Sequence, residues 1–428
     1  MAKIEKVEAV EVLDSRGNPT VAAWVTAGGR TGQATVPSGA STGSHEVIEL
    51  RDGDNRRFFG RGVLTAVENV EKIIAPAIVG KDVSDHEEID ATMIELDATA
   101  NKSRLGANAI LAVSLAAARA AAATSGQPLY RYLRDKFFSH LGSNWEMPVP
   151  MLNVLNGGKH ALGSVDLQEF MIMPISASNF AEALRWSAEI YQMLKKLLLE
   201  KGLPVGVGDE GGFMPKLTSH QQALQLLVEA ISKAGYKPGE QVALALDPAA
   251  TEIFTNNEYV LKTENKKLSS PGLIAVYEDW LKAYPIVSIE DGLSEDDWSG
   301  WKFMNERLGS KIQIVGDDLY VTDKKRLEKG VAEKSSNAIL IKPNQVGTLT
   351  ETVGVINLAR KNNLATIISH RSGETEDDFI ADLVVAAGTG QIKAGAPCRS
   401  ERVIKYNRLL KIERELGERA MFNNPFRK

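Results

Sequence analysis

Three short apolar runs in the chain each close on a carboxylate: Val242 to Asp247, Ile286 to Glu290 and Ile312 to Asp317. Gathered in one place, three carboxylates repel and raise one another's pKa unless a cation stands among them. No histidine or thiolate cluster accompanies them, so the donor set is all oxygen. That suits Mg²⁺, an ion that keeps some waters and borrows oxygens from its substrate. Two further apolar runs close on lysines, Lys342 and Lys393. Beside metal ions and a second ammonium, a lysine's charged form is disfavoured, so its pKa is expected to fall and it becomes a base. Taken singly, each acid reads as a solvated loop residue or helix cap, and each lysine as a snorkelling surface side chain. The argument for a site is their recurrence at the ends of successive runs.

Other polar clusters would complete it. Ser369-His370-Arg371-Ser372-Gly373 offers a guanidinium fork, a hydroxyl and backbone donors, suited to a carboxylate or phosphate. Asn156-Gly157-Gly158-Lys159-His160 and Gln168-Glu169 lie near the first expected barrel strand. Gly208-Asp209-Glu210-Gly211-Gly212 sets two acids in a glycine-rich turn. Glu169 and Glu210 can form a proton-sharing pair, one kept protonated as an acid. Residues 206–211 also satisfy G-x-G-x-x-G, but Asp209 and Glu210 would repel a pyrophosphate, and Phe213-Met214-Pro215 follows where a helix should start. No G-x-x-x-x-G-K-[ST] loop occurs. Neither nucleotide fingerprint stands.

The elements that must hold these residues follow from the texture around them. From Glu290 onward the closing polar residues fall at 290, 317, 342, 370 and 393, one strand–helix unit apart each time. Phe170-Met171-Ile172-Met173 reads as a further strand of the same kind, and helical stretches at 180–201, 219–234 and 348–362 separate most of the runs. Apolar strands alternating with helices imply a parallel sheet covered on both faces. Sustained over about 270 residues, the repetition favours a closed barrel, whose active site lies at the C-terminal strand ends.

Ahead of it, residues 4–36 predict a β meander with turns at Ser15-Arg16-Gly17-Asn18-Pro19 and Ala27-Gly28-Gly29-Arg30. Gly39 to Gly43 is a loop of small residues. Val63, Val67, Val70 and Ile74 mark a helix face, with Pro76 expected to end the helix. An Ala-rich helix is expected over 105–124, stopped near Gly126, and a short one over 128–138. Met147-Pro148-Val149-Pro150 reads as a domain junction, since two prolines suit neither a helix nor a central strand. The predicted fold class is α/β: an eight-stranded β/α barrel over residues 139–428, preceded by a smaller α+β domain over residues 1–138.

Composition excludes much else. At 428 residues a large core needs no staple. Lys+Arg 50 against Asp+Glu 55 gives −5, which argues against a chain built to grip nucleic acid. The one cysteine, Cys398, excludes an internal disulfide and a thiolate cluster. Met1 to Lys6 holds no hydrophobic signal core. The most apolar run, 109–123, is broken by Ser114 and Arg119 and falls short of the roughly 20 residues that span a bilayer. The expectation is a cytoplasmic enzyme without membrane insertion.

Over essentially its whole length the sequence resembles the enolase family. The resemblance is carried by Leu13-Asp14-Ser15-Arg16-Gly17-Asn18-Pro19-Thr20, Ser38-Gly39-Ala40-Ser41-Thr42-Gly43, Gly208-Asp209-Glu210-Gly211-Gly212 and Ser288-Ile289-Glu290-Asp291. It continues through Leu340-Ile341-Lys342-Pro343-Asn344-Gln345-Val346-Gly347-Thr348-Leu349, Ser369 to Glu374, Gly390-Gln391-Ile392-Lys393 and Arg399-Ser400-Glu401-Arg402. The resemblance implies a barrel whose first units depart from regular alternation, and a phosphopyruvate hydratase that reversibly dehydrates 2-phosphoglycerate to phosphoenolpyruvate with two Mg²⁺. It implies Asp247, Glu290 and Asp317 as ligands of the tighter Mg²⁺, and Ser41 as a ligand of the second when its loop closes. Lys342 would be the base and Glu210 the acid, assisted by Glu169. Gln168, Arg371, Ser372 and Lys393 would contact substrate, with His160 and His370 close by. Two departures stand out: the less polar Ala161-Leu162-Gly163-Ser164, and Pro343 beside the base where an aliphatic residue is common.

The resemblance also implies a dimer at least, octameric in some bacterial members. Family members are further associated with a secreted or cell-surface fraction, where C-terminal lysines such as Lys428 capture host proteins, and with RNA-processing assemblies. A purely binding or scaffold role would go with a lost ligand or base, and none is missing here. Another metal-assisted acid-sugar dehydratase or racemase would explain the carboxylates but not the Ser41 loop or the anion contacts of Arg371, Ser372 and Lys393.

Overall fold

The computed structural model describes residues 2–39, 43–161 and 163–426. Ser41, Leu162 and Lys428, singled out above, lie outside them. The chain begins with an antiparallel meander of β1 (Ile4–Leu13), β2 (Pro19–Ala27) and β3 (Arg30–Thr35). The Ala-rich segment forms a helix, Ala107–Thr124, packed across β2 and β3. Small residues let the backbones close in: a Cβ on Gly32 would lie 2.2 Å from the Ala120 nitrogen. By length and composition this helix is apolar enough to cross a membrane, and here its apolar surface is buried inside the protein.

Pro76 does not end its helix. Residues Leu64–Asn69 run into a π turn, Val70–Ile74, and the helix finishes as Ala75–Ile78. The wider turn relieves the clash a proline ring makes with an α-helical carbonyl, and Pro76 needs no N–H in the first turn of the last piece.

Eight strands close a barrel: β4 (Val149–Asn156), β5 (Glu169–Met173), β6 (Ala243–Asp247), β7 (Ile286–Glu290), β8 (Gln313–Gly316), β9 (Ala338–Ile341), β10 (Ala365–Ser369) and β11 (Gln391–Lys393). Two expectations are corrected here. Phe170–Met173 is not another parallel strand: β5 runs antiparallel to both β4 and β6. Its N-terminal end, with Gln168 and Glu169, therefore meets the C-terminal ends of its neighbours. Pro150 stands inside a barrel strand rather than a junction. Val149 N–H bonds Gly390 on the β11 side, so the missing N–H of Pro150 faces β5, where pairing begins only at Leu152.

The floor of the barrel is apolar, filled by Val149, Met151, Met171, Met173, Ala243, Ala245, Val315, Leu340 and Ile367. The polar residues are left at the opposite mouth. The first domain reaches that mouth through Ser38, whose N–H and carbonyl pair with the carbonyl and N–H of Gly373 at 2.7 and 2.9 Å. A Cβ on Gly373 would fall 2.5 Å from an Arg16 nitrogen, so only glycine lets the segments meet this way.

Candidate active site at the barrel mouth

Asp247 ends β6, Glu290 ends β7, Asp317 follows β8, Lys342 follows β9 and Lys393 ends β11. His160, Gln168, Glu169, Glu210, Asp247, Asp317, Lys342, His370, Arg371, Ser372 and Lys393 line one pocket. Glu290 is fully buried beneath it and joins through Lys393.

Lys393 Nζ sits among three carboxylates: Glu290 Oε1 at 2.8 Å, Glu169 Oε2 at 3.0 Å and Asp247 Oδ2 at 3.3 Å. Burial alone would discharge it, but the carboxylates hold its pKa well above the ordinary value. Lys342 Nζ donates to Asp317 Oδ2. Burial again opposes the charge, and the Asp317 carboxylate holds the Lys342 pKa above the ordinary value.

Glu169 and Glu210 line the same pocket. Burial, with the nearby Glu210 charge, pushes Glu169 well above the carboxylate range. Glu210 accepts from Asn153 Nδ2 at 3.0 Å and lies 3.4 Å from His370 Nε2, and it is held low against its burial. Their surroundings thus push the pair apart, Glu169 up and Glu210 down. His160 Nδ1 lies 3.8 Å from Glu169 and 4.0 Å from Glu210. Arg371 makes a bidentate pair with Glu46, at 2.8 and 3.0 Å, and donates to Asn344 Oδ1 at 3.2 Å.

Asp291 and Asp318 line the same pocket and were not singled out. Asp291 accepts the N–H groups of Asp317 and Asp318, at 2.9 and 2.8 Å, and so orients the turn after β8. Burial and Asp317 push Asp318 up to about 8. Each directly follows a residue that was found, and the doubled acids Glu290-Asp291 and Asp317-Asp318 were the available signal. Glu46 and Asn153 carried no such mark.

The donors fit a hard divalent cation. Among the described residues Glu290 Oε2 is buried with no hydrogen-bond partner, an unmet acceptor among oxygen ligands. The carboxylate oxygens of Asp291, Asp317 and Asp318 also lie within 4.8 Å of one another. Asp247, Glu290 and Asp317 are each tied to a lysine ammonium, which supplies the compensating charge.

Residues 4–133 match the enolase N-terminal domain, and residues 144–427 match the enolase C-terminal TIM barrel domain. The chain belongs to the enolase family. It is accordingly an enzyme of the lyase type in the enolase superfamily. Domains of this superfamily typically bind Mg²⁺, and the acidic groups at this mouth can hold such an ion.

Proposed function

We propose that the chain interconverts 2-phospho-D-glycerate and phosphoenolpyruvate by reversible dehydration, using two Mg²⁺, as a step of glycolysis and gluconeogenesis. What supports this most is that one pocket is lined both by cations, Lys342, Lys393 and Arg371, and by a pair of carboxyl groups, Glu169 and Glu210. A substrate with two anionic groups and a C–H to be removed needs the first; a hydroxyl to be expelled needs the second. Asp247, Glu290 and Asp317 would hold one Mg²⁺ and Ser41 would help hold the other; when bound, these ions supply positive charge for the carboxylate that becomes doubly negative.

The remaining work falls to the chain. Arg371 and Ser372 take the phosphoryl group, and Gln168 and Lys393 take the carboxylate. Lys342 acts as the neutral amine: its ammonium proton passes to solvent once Asp317 no longer holds it, and the free Nζ lone pair then takes the proton from C2. Glu210, receiving the proton it shares with Glu169, delivers it to the C3 hydroxyl, which leaves as water. His160 and His370 flank that oxygen. The same reading makes the chain a cytoplasmic enzyme, at least a homodimer, divided near residue 138.

Incubation with 2-phosphoglycerate and Mg²⁺, followed by the ultraviolet absorbance of phosphoenolpyruvate, tests this. Steady growth of absorbance is expected. None from folded, metal-loaded protein would overturn it.

A further inference from the structure

Arg402 is among the largest side chains that the protein buries completely. It lies in the first turn of the helix Ser400–Leu416, away from the strand ends where the site was sought. Its stem runs past Gly395, where a Cβ would fall 2.9 Å from Arg402 Cδ, so glycine keeps the passage open. Its guanidinium engages four acceptors. Nη1 meets His370 Nδ1 at 2.6 Å and the Arg371 carbonyl; Nη2 meets the carbonyls of Asp209 at 3.1 Å and of Ser372. One side chain thereby ties the turn that carries Glu210 to the segment that carries the anion contacts.

The chemistry of the pair fixes a proton. An arginine has five donors, no acceptor, and does not deprotonate in proteins. Nδ1 of His370 must therefore present its lone pair, and the ring proton of neutral imidazole must be on Nε2. That nitrogen lies 3.4 Å from Glu210 Oε2 and opens on the pocket. Burial pushes His370 down to about 4, so the ring is neutral at pH 7 and no second proton competes for Nδ1.

We propose that Arg402 is a positioning residue for the acid half of the reaction. It locks His370 as the Nε2–H tautomer, which can donate toward Glu210 and the departing oxygen but cannot accept from them. Its bonds to the Asp209, Arg371 and Ser372 carbonyls keep the acid turn and the anion segment in one register. The acid role rests on the function proposed above; the tautomer does not.

Two readouts separate these claims. In the full-length chain labelled with ¹⁵N-histidine, long-range proton–nitrogen spectra at pH 7 give the tautomer of His370, assigned by its loss in His370→Gln. A bare Nδ1 and protonated Nε2 are expected, and a protonated Nδ1 overturns the proposal without any Arg402 variant having to fold. Arg402→Lys keeps the charge and loses the fork. In D₂O with 2-phosphoglycerate and Mg²⁺, this variant is expected to keep exchange of the C2 hydrogen within a few-fold of the parent, while product formation falls about 100-fold. Loss of both in parallel, as from a merely structural role, or loss of neither, overturns the positioning role. A parent chain with the expected tautomer but neither reaction contradicts the proposed function, and with it the acid role, while Arg402's hold on His370 stands.

Discussion

Lys393 Nζ lies 2.8 Å from Glu290 Oε1, and both residues close barrel strands, while the second oxygen of Glu290 has no hydrogen-bond partner among the described residues. The ammonium stabilises three buried carboxylates at once, yet leaves one strong acceptor unmet. A buried acceptor in that condition suits a cationic ligand.

The ammonium is the first group to test. Lys393→Met keeps most of the stem and removes the charge, leaving Glu169, Asp247 and Glu290 without the ammonium that compensates them in a buried setting. Uncompensated buried charge costs about 3–5 kcal/mol. Urea denaturation of the metal-free chain at pH 7 should show a loss of that order, and an unchanged midpoint would contradict the description of the site.

The unmet oxygen leads to the second prediction. A ligand at a hundred times its Kd stabilises the native state by about 2.7 kcal/mol. Mg²⁺ should raise the unfolding midpoint of the parent chain accordingly, and Glu290→Gln, which removes the charge and the unmet oxygen, should lose most of that gain. Equal gains in both would remove Glu290 from the ligand set.

How much of this was legible beforehand depends on what a residue type can signal. Asp247, Glu290, Asp317, Lys342 and Lys393 stood out because a polar group closing an apolar run has few other reasons to be there. The direction of β5 did not, since Phe170-Met171-Ile172-Met173 reads the same in either sense; only the position of Glu169 before the run hinted at it. Pro150 argued against a strand until its register showed that the missing N–H faces an unpaired stretch. The Glu46 bond to Arg371 and the Arg402 bond to His370 link segments that no local pattern connects. The charge of Lys342 followed Asp317, a contact whose dominance the sequence could not weigh.

A third prediction concerns acid stability and involves residues outside the pocket lining. His86 is buried with Nε2 2.7 Å from the Tyr132 hydroxyl, and burial lowers its pKa to about 4. A depressed pKa means the neutral form is favoured by folding, so stability is full above the unfolded value near 6.5 and falls as the pH drops toward 4. The loss should reach about 3 kcal/mol. Asp90, on the same helix, His86–Asp97, is raised to about 6 by burial and works in the opposite sense, its contribution being lost as pH rises from 3.8 to 6. The two partly cancel in the parent chain. His86→Gln should therefore make the protein relatively more stable at pH 4 than at pH 7, as read from denaturation midpoints; equal shifts at both would contradict the assignment.

The account turns on Lys342 as the group that takes the C2 proton. The most direct measurement is exchange of the C2 hydrogen of 2-phosphoglycerate in D₂O with Mg²⁺, comparing the parent chain with Lys342→Ala after confirming that Mg²⁺ still stabilises the variant. The account predicts exchange in the parent and none above background in Lys342→Ala. Exchange at the parental rate in that variant would contradict it.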